Sequence, residues 1–534
     1  MKKIPVIDLF AGPGGLNYGF SSFRSPDLRF DVRLSIEKDE IAWRTLHMRS
    51  FLRQFARTPD DYYRYVRGEE GFDRDYLKKN YESQWVAAEA EARRWVLGNE
   101  EFSTVSEVIA KEIRGADQWV LLGGPPCQAY SIAGRARMKN DEQFSKDKRH
   151  TLYREYLKIV AVHQPTVFVM ENVKGLLSST HGARKNGGKA GSIFTQILQD
   201  LRNPAVAVNG DKDAAAHLPK ANKRYTYKVF SFAAKAFSPE FLKPKDFVIR
   251  CEDWGVPQTR HRVILLGIRS DIAVVPKTLD ELFEKEKIKI EDVIGKMPKL
   301  RSRVSRDDSV EAWLGAIQKI LQKGILTGIK DQKIQQRIKK KLKKLKEEKN
   351  TGALFLQWDK PPAKLSDWIW DENLKGIIQH QTRSHMTSDL RRYFFAACAA
   401  EEKKVSPRLR HFPKTLLPDH KTAVKKRSGK HGDKEGQYEF QDRFRVQVRG
   451  KPATTITSHI SKDGHYYIHY DPIQCRSLTV REAARLQTFP DTYFFEGNRT
   501  QQYQQIGNAV PPLLAFKLAK IVADVIRLST EDKA

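Results

Sequence analysis

The sequence predicts an α/β fold: a parallel sheet with helices on its faces. Three observations predict it. Short apolar runs alternate with helical patterns through residues 1–270, as in strand–helix–strand units. A glycine-rich turn with Gly12, Gly14 and Gly15 follows the first run directly. A second turn, Gly123-Gly124-Pro125-Pro126, closes another run and presents Cys127. Open sheets bind ligands at the carboxyl ends of their strands, where both turns fall.

The first strand is residues 4–10. The preceding lysines imitate a signal peptide, but there is no long apolar core or small-residue cleavage site. The glycines let a ligand approach the backbone closely, and the helix start that follows favours negative charge. Their spacing does not fit a dinucleotide fingerprint. A second strand, residues 29–36, ends at Glu37, about 20 residues past the loop, where an acid can hold ribose hydroxyls. Residues 58–99 are charged and aromatic and read as a helical insertion without identifiable chemistry.

Residues 119–122 form a buried strand before Cys127. A thiol held rigidly there suits a nucleophile; a buried, inert cysteine is the alternative. Residues 149–162 read as a helix and 166–170 as the next strand, ending in Glu171 and Asn172. That pair suits either an acid beside Cys127 or a helix cap. Residues 262–268 form a further strand. Arg260 and Arg262, at i and i+2, fall on one side of its start and suit phosphate and carbonyl contacts.

Beyond residue 268 charge rises and the alternation is lost until about residue 478. Residues 330–349 carry ten Lys/Arg against three Asp/Glu, with Ile334, Ile338, Leu342 and Leu345 at helical spacing. They read as a solvated amphipathic helix packed on its apolar side, with a phosphate-contacting helix as the sharper alternative. Residues 421–434 form a basic, glycine-bearing loop, either disordered or an arm that tracks DNA. Residues 478–528 return to helical periodicity.

A chain of 534 residues suggests roughly two to four domains. The net charge of +30 predicts a polyanionic partner, most simply nucleic acid. No segment approaches the roughly 20 apolar residues that span a bilayer. The four cysteines, at 127, 251, 398 and 475, lie too far apart for a zinc site or a disulfide framework. An intracellular protein is expected.

The ordered segments "DLFAGPGG", "GGPPCQAYS", "ENV", "QTRHRV", "RSLTVREAARLQTFPD" and "QIGNAVPP" span Asp8 to Pro512. Together they resemble the signature blocks of the cytosine-C5 DNA methyltransferases of the bacterial modification type. The resemblance implies a Rossmann-like sheet that uses S-adenosylmethionine, without a metal, and carries an inserted target-recognition domain. It implies a catalytic domain over residues 1–270 (with the 58–99 insertion), a recognition domain over 271–477, and a return to the catalytic domain over 478–534.

Residue by residue, Cys127 matches the nucleophile that attacks cytosine C6, and Glu171 the acid that assists at N3. Arg262 matches the residue holding the base carbonyl, with Arg260 as its partner. Phe10, Gly12, Gly14, Gly15, Glu37, Pro125 and Asn508 match the cofactor site. Glu101 and Phe102 align with the family's adenine-contacting Asp-Ile pair, from which they depart, as Lys38 departs from the apolar residue that often follows the ribose acid. The implied partner is double-stranded DNA, whose target base must be flipped out of the stack. A cognate restriction endonuclease or other defence component would work beside a monomeric, cytoplasmic, nucleoid-associated enzyme with no membrane contact. Two rivals are an RNA methyltransferase on the same fold and a catalytically silent DNA-binding homologue.

Overall fold

The computed structural model describes residues 1–126, 152–179, 192–322, 324–418, 441–462 and 464–531. It divides into two compact units. The first comprises Met1–Pro59, Asp75–Glu286 and Ala509–Ala534; the second comprises Asp60–Arg74 and Lys287–Asn508.

The first unit is built on an eight-stranded sheet. Its strands are β1 (Lys2–Leu9), β2 (Leu28–Glu37), β3 (Ala92–Arg94), β4 (Val120–Gly123), β5 (Val167–Val173), β6 (Tyr227–Ser231), β7 (Val248–Arg250) and β9 (His261–Arg269); a two-residue strand, β8 (Gln258–Thr259), leads into β9. The order is β3-β2-β1-β4-β5-β9-β6, with β7 also paired to β9. Alternate residues serve opposite faces. Ile4, Val6, Val120, Leu122, Val167 and Val169 pack with the helices Gly15–Ser22 and Pro512–Glu531. Ile7, Leu9, Leu121, Phe168 and Met170 pack with Phe102–Glu112, Leu152–His163 and Ile193–Arg202. Burial on both faces is why these strands read as continuous apolar runs.

Two expectations need correction. The sheet is parallel only from β3 to β5; β9 runs antiparallel to β5, β6 and β7. A doubly buried apolar run carries no mark of its direction. Residues 58–99 are also not simply an insertion. They supply β3, the edge strand, whose Ala92 and Arg94 pair with Ser35 and Glu37 of β2. Asp60–Arg74 instead belongs to the second unit, where Tyr62 donates to the Thr492 carbonyl at 2.7 Å and Tyr65 to Glu496 at 2.7 Å.

The second unit has its own core, in which Trp313, Ile317, Ile334, Ile338 and Phe444 surround the helix Thr387–Lys403. Two small sheets accompany it: β10 (Arg303–Val304) pairs with β13 (Ser384–His385), and β11 (Gly352–Gln357) with β12 (Gly376–Gln381). The boundaries between units differ from those expected at 270/271 and 477/478, falling at Glu286/Lys287 and Asn508/Ala509. Residues 478–508 therefore cluster with the second unit. The cause is visible in the buried arginines of "VREAARL": Arg481 donates to the Ile378 carbonyl at 3.1 Å and Arg485 to that of Val293 at 2.8 Å.

Within the basic run 330–349, the helix is Gln332–Leu342, capped by Asp331. Ile334 and Ile338 are buried, and Arg337 and Lys341 pair with Glu402 and Glu401 at 2.7 and 2.8 Å. This is the packed amphipathic helix of the simpler reading. Residues 421–434 lie outside the described residues.

Candidate active site

The turn after β1 is shaped by left-handed backbone at Phe10 (φ 58°), Gly12 (φ 58°) and Gly14 (φ 94°). Phe10 pays a steric cost there that glycine would not, a kind of strain that clusters at ligand sites. A Cβ placed on Gly12 would meet open space within 4 Å, so the loop leaves a hollow beside its backbone. Glu37, at the end of β2, closes one side of it. Its two oxygens accept from the Gly12 and Asp39 amides, each at 2.8 Å. Burial raises its pKa, against those amide bonds. Each oxygen keeps lone-pair capacity for a ribose hydroxyl. The hollow and the acid therefore fit a nucleoside cofactor.

Gly15 has a second reason to be glycine. A Cβ there would stand 2.3 Å from the Val510 carbonyl oxygen and 3.4 Å from Ala509, and one on Gly19 would stand 2.4 Å from Ala515. The helix Gly15–Ser22 thus lies directly on the Ala509–Ala534 return. Asn508, the residue before Ala509, is exposed at the end of the helix Arg499–Asn508.

At the neighbouring strand ends, Glu171 and Arg262 form an ion pair, Oε1 to Nε, at 2.8 Å. The register explains it: Val173 of β5 faces Arg262 of β9, so Glu171 lies two residues along the same face. Both side chains keep slight exposure, 13% and 12%, enough to be reached by a ligand. A Cβ on Gly124 would stand 3.3 Å from Glu171 Oε2, so a glycine keeps that oxygen clear. Pro125 accepts through its carbonyl from the Asn172 amide at 3.5 Å.

Arg260 does not join this pair. It is fully buried and donates to the Ala509 carbonyl at 2.8 Å. Arg260 and Arg262 thus serve different neighbours, because Arg260 falls in the break between β8 and β9. Glu101 is exposed at the start of the helix Phe102–Glu112, and the Phe102 ring packs into the core below the sheet. Cys127 lies outside the described residues. The other three cysteines are buried, and burial pushes the Cys251 thiol up to about 12.

Asn172 and Gly124 were visible in the sequence, but their contacts with the Pro125 carbonyl and with Glu171 were not. Asn172 does not cap the short helix Lys174–Ser178, whose N-cap position is Val173; its side-chain oxygen accepts from the Val173 amide at 2.9 Å instead. Asp8, on the face of β1 toward Gly15–Ser22, was also missed. Its carboxyl is driven up to about 7, first by burial, with the Arg53 charge and the Asn17 amide acting in opposition.

A glycine loop, an acid at the end of the second strand and a Glu–Arg pair along one edge of a parallel-rich α/β sheet are consistent with a Rossmann-like, S-adenosylmethionine-dependent methyltransferase fold. The chain belongs to the C-5 cytosine-specific DNA methylase family, whose model matches residues 81–203 and 243–523. It is thereby an enzyme, a DNA (cytosine-5-)-methyltransferase.

Similar proteins include the type II methyltransferase M.Bpa9945I of Bacillus paralicheniformis, 29% identical over 98% of this chain and 99% of that protein. The DNA (cytosine-5-)-methyltransferase M.ApeKI of Aeropyrum pernix is 25% identical over 78% and 83%. The type II methyltransferase M.DdeI of Desulfomicrobium norvegicum is 25% identical over 97% and 88%. The family takes its methyl group from S-adenosylmethionine. Among the described residues no group of three or more His, Cys, Asp or Glu is placed to hold a metal ion, and no helix is long and apolar enough to cross a membrane.

Proposed function

We propose that this chain methylates C5 of a flipped-out cytosine in a specific duplex DNA sequence, through a covalent bond between Cys127 and C6. The observation that carries the reading is the Glu171–Arg262 pair beside the Gly124-Pro125 turn that leads into Cys127. Cytosine C5 is a poor nucleophile. Addition of the Cys127 thiolate at C6, with Glu171 giving a proton at N3, makes C5 enamine-like. Arg262 holds the base carbonyl and fixes the Glu171 carboxyl. S-adenosylmethionine, when bound, supplies an electrophilic sulfonium methyl group. Loss of the C5 proton then re-forms the C5–C6 double bond and expels the Cys127 thiolate, and N3 returns its proton to Glu171.

Glu37 would hold the cofactor's ribose, and the Phe10–Gly14 turn and Pro125 would line its site. Arg260 acts at a distance, anchoring the Ala509 carbonyl and with it the neighbouring Asn508. The names of the relatives support a role in a type II restriction-modification system, where methylation protects the host's own DNA from a cognate endonuclease. Such an enzyme works as a cytoplasmic monomer on the nucleoid.

Bisulfite sequencing of DNA from cells expressing the chain tests the reaction: one cytosine within a fixed short sequence should resist conversion. Cys127→Ala should abolish that protection and leave DNA binding intact. Duplex carrying 5-fluorocytosine at the target should trap a covalent adduct. Methylation of RNA but not of matched DNA, or normal turnover by Cys127→Ala, overturns the reading.

A further inference from the structure

Within the basic run at residues 330–349, Arg337 and Lys341 are paired with glutamates. Another group of cations in the second unit is not. Arg303, Arg383 and Arg499 converge on the short segment 382–384. Arg303 sits on β10, opposite Ser384 of β13. Arg383 precedes that strand, and Arg499 Nη1 donates to the Thr382 carbonyl at 2.7 Å. Arg383 Nη2 donates to the Ile460 carbonyl at 2.8 Å, and its guanidinium lies 4.6 Å from the centre of the Tyr503 ring. No carboxylate among the described residues pairs with any of the three.

Three like charges held together cost free energy unless an anion offsets them. The Arg499 pKa is lowered, first by partial desolvation of its guanidinium and then, against Tyr503, by the charges of Arg383 and Arg303. The same field reaches the buried His385, whose pKa burial lowers first and Arg383 next. The two carbonyl bonds and the aromatic face fix the orientation of Arg383 and Arg499. Each guanidinium has five N–H donors, so most remain available. Planar donors fixed in this way suit phosphate oxygens. Arg303 and Arg499 are exposed.

We infer that Arg303, Arg383 and Arg499 form a clamp for the phosphate backbone of duplex DNA, positioning it on the second unit. The inference rests on the proposed activity on DNA. The three arginines touch no base in this role; they set register and affinity, while base-edge contacts elsewhere carry sequence choice.

The test uses the full chain with Arg303→Gln, Arg499→Gln and the double variant. Both residues are exposed, so the fold should survive, and binding of S-adenosylmethionine should be unchanged. Affinity for duplex DNA is measured from low to moderate salt, on the target sequence and on an unrelated duplex. Each substitution should lower the slope of log affinity against log salt by about 0.9 for each phosphate that is no longer neutralised. The loss should be equal on both duplexes. As a control, Lys339→Gln with Lys340→Gln, on the exposed side of the helix Gln332–Leu342, should change the slope less than the double variant does.

An unchanged slope in the double variant, with the wild-type chain methylating DNA normally, overturns the clamp and leaves the activity standing. Competition by inorganic phosphate at equal ionic strength, with no loss of DNA affinity in the variants, would make the cluster a free-anion site and likewise overturn it. A wild-type chain that transfers no methyl group to DNA overturns the activity first.

Discussion

Glutamate–arginine pairs occur in both units, with near-identical bond lengths and different purposes. Glu171–Arg262 meets at 2.8 Å, Oε1 to Nε, at a strand end, with both partners slightly exposed. Glu482–Arg476 is a two-pronged contact, 2.7 Å at each oxygen, between residues that are 1% exposed. Asp491–Arg485 repeats the two-pronged form with both residues fully buried. Glu482 also accepts from the Thr479 amide in a capping box that starts the helix Val480–Leu486. A carboxylate whose acceptor sites are all spent inside the protein builds the fold. One with an oxygen held clear, as Gly124 holds Glu171 Oε2 clear, is available for chemistry.

The largest expected effect separates the two kinds of pair through activity. Glu171→Gln should lower kcat by about 10²–10⁴-fold, the usual worth of a positioned proton donor, with thermal stability almost unchanged. A drop in Tm as large as the one below would class Glu171 with the structural pairs.

Next come the buried pairs, where stability should suffer. Asp491→Ala strands the Arg485 charge in the core and should cost about 3–5 kcal/mol in denaturant unfolding. Glu482→Gln should act in the same direction and also change the acid limb. Burial alone would raise the Glu482 carboxyl, but the Arg476 charge and hydrogen bonds reverse this and hold it well below the usual carboxylate range. A depressed folded pKa gives stability that is present above the unfolded value and lost as pH falls through the folded one. The wild-type chain should therefore lose stability as pH drops below the ordinary glutamate range, and Glu482→Gln should flatten that loss. An unaltered acid limb would contradict the assignment.

Asp8 offers the opposite sign and a smaller effect. Its folded pKa is raised from 3.8 to about 7. The folded state keeps a proton that the unfolded chain has released, so stability falls as pH rises through that window. Asp8→Asn should stabilise the protein at pH 8 by up to about 4 kcal/mol, since a tenfold change in proton affinity is worth about 1.36 kcal/mol, and should have little effect near pH 4. Equal Tm changes at both pH values would show that the carboxyl is not the source.

The core strands were legible because burial on both faces writes long apolar runs. The strand β3 was not: three residues, Ala-Arg-Arg, inside a charged stretch carry no strand pattern, and only pairing with β2 makes them one. The direction of β9 was invisible for the reason that made the strand visible. At the site, Glu37, Glu171 and Arg262 could be placed because each ends or starts a readable strand. The roles of Arg260 and Gly15 were hidden because their partners, Ala509 and Val510, lie some 250 and 500 residues away. In the run at 330–349 the helix could be read from its apolar spacing, but the partners of Arg337 and Lys341 could not, since those glutamates stand at 402 and 401.

The path of the chain between units has a consequence for heredity. It crosses at Pro59/Asp60, Arg74/Asp75, Glu286/Lys287 and Asn508/Ala509, so the second unit is encoded in two separate stretches. A single block exchanged between related genes would bring a new 287–508 but keep the old 60–74. The old Tyr62 and Tyr65 would then have to find acceptors at foreign counterparts of Thr492 and Glu496. Such an exchange keeps these two hydrogen bonds intact only if the short aromatic stretch travels with the long one.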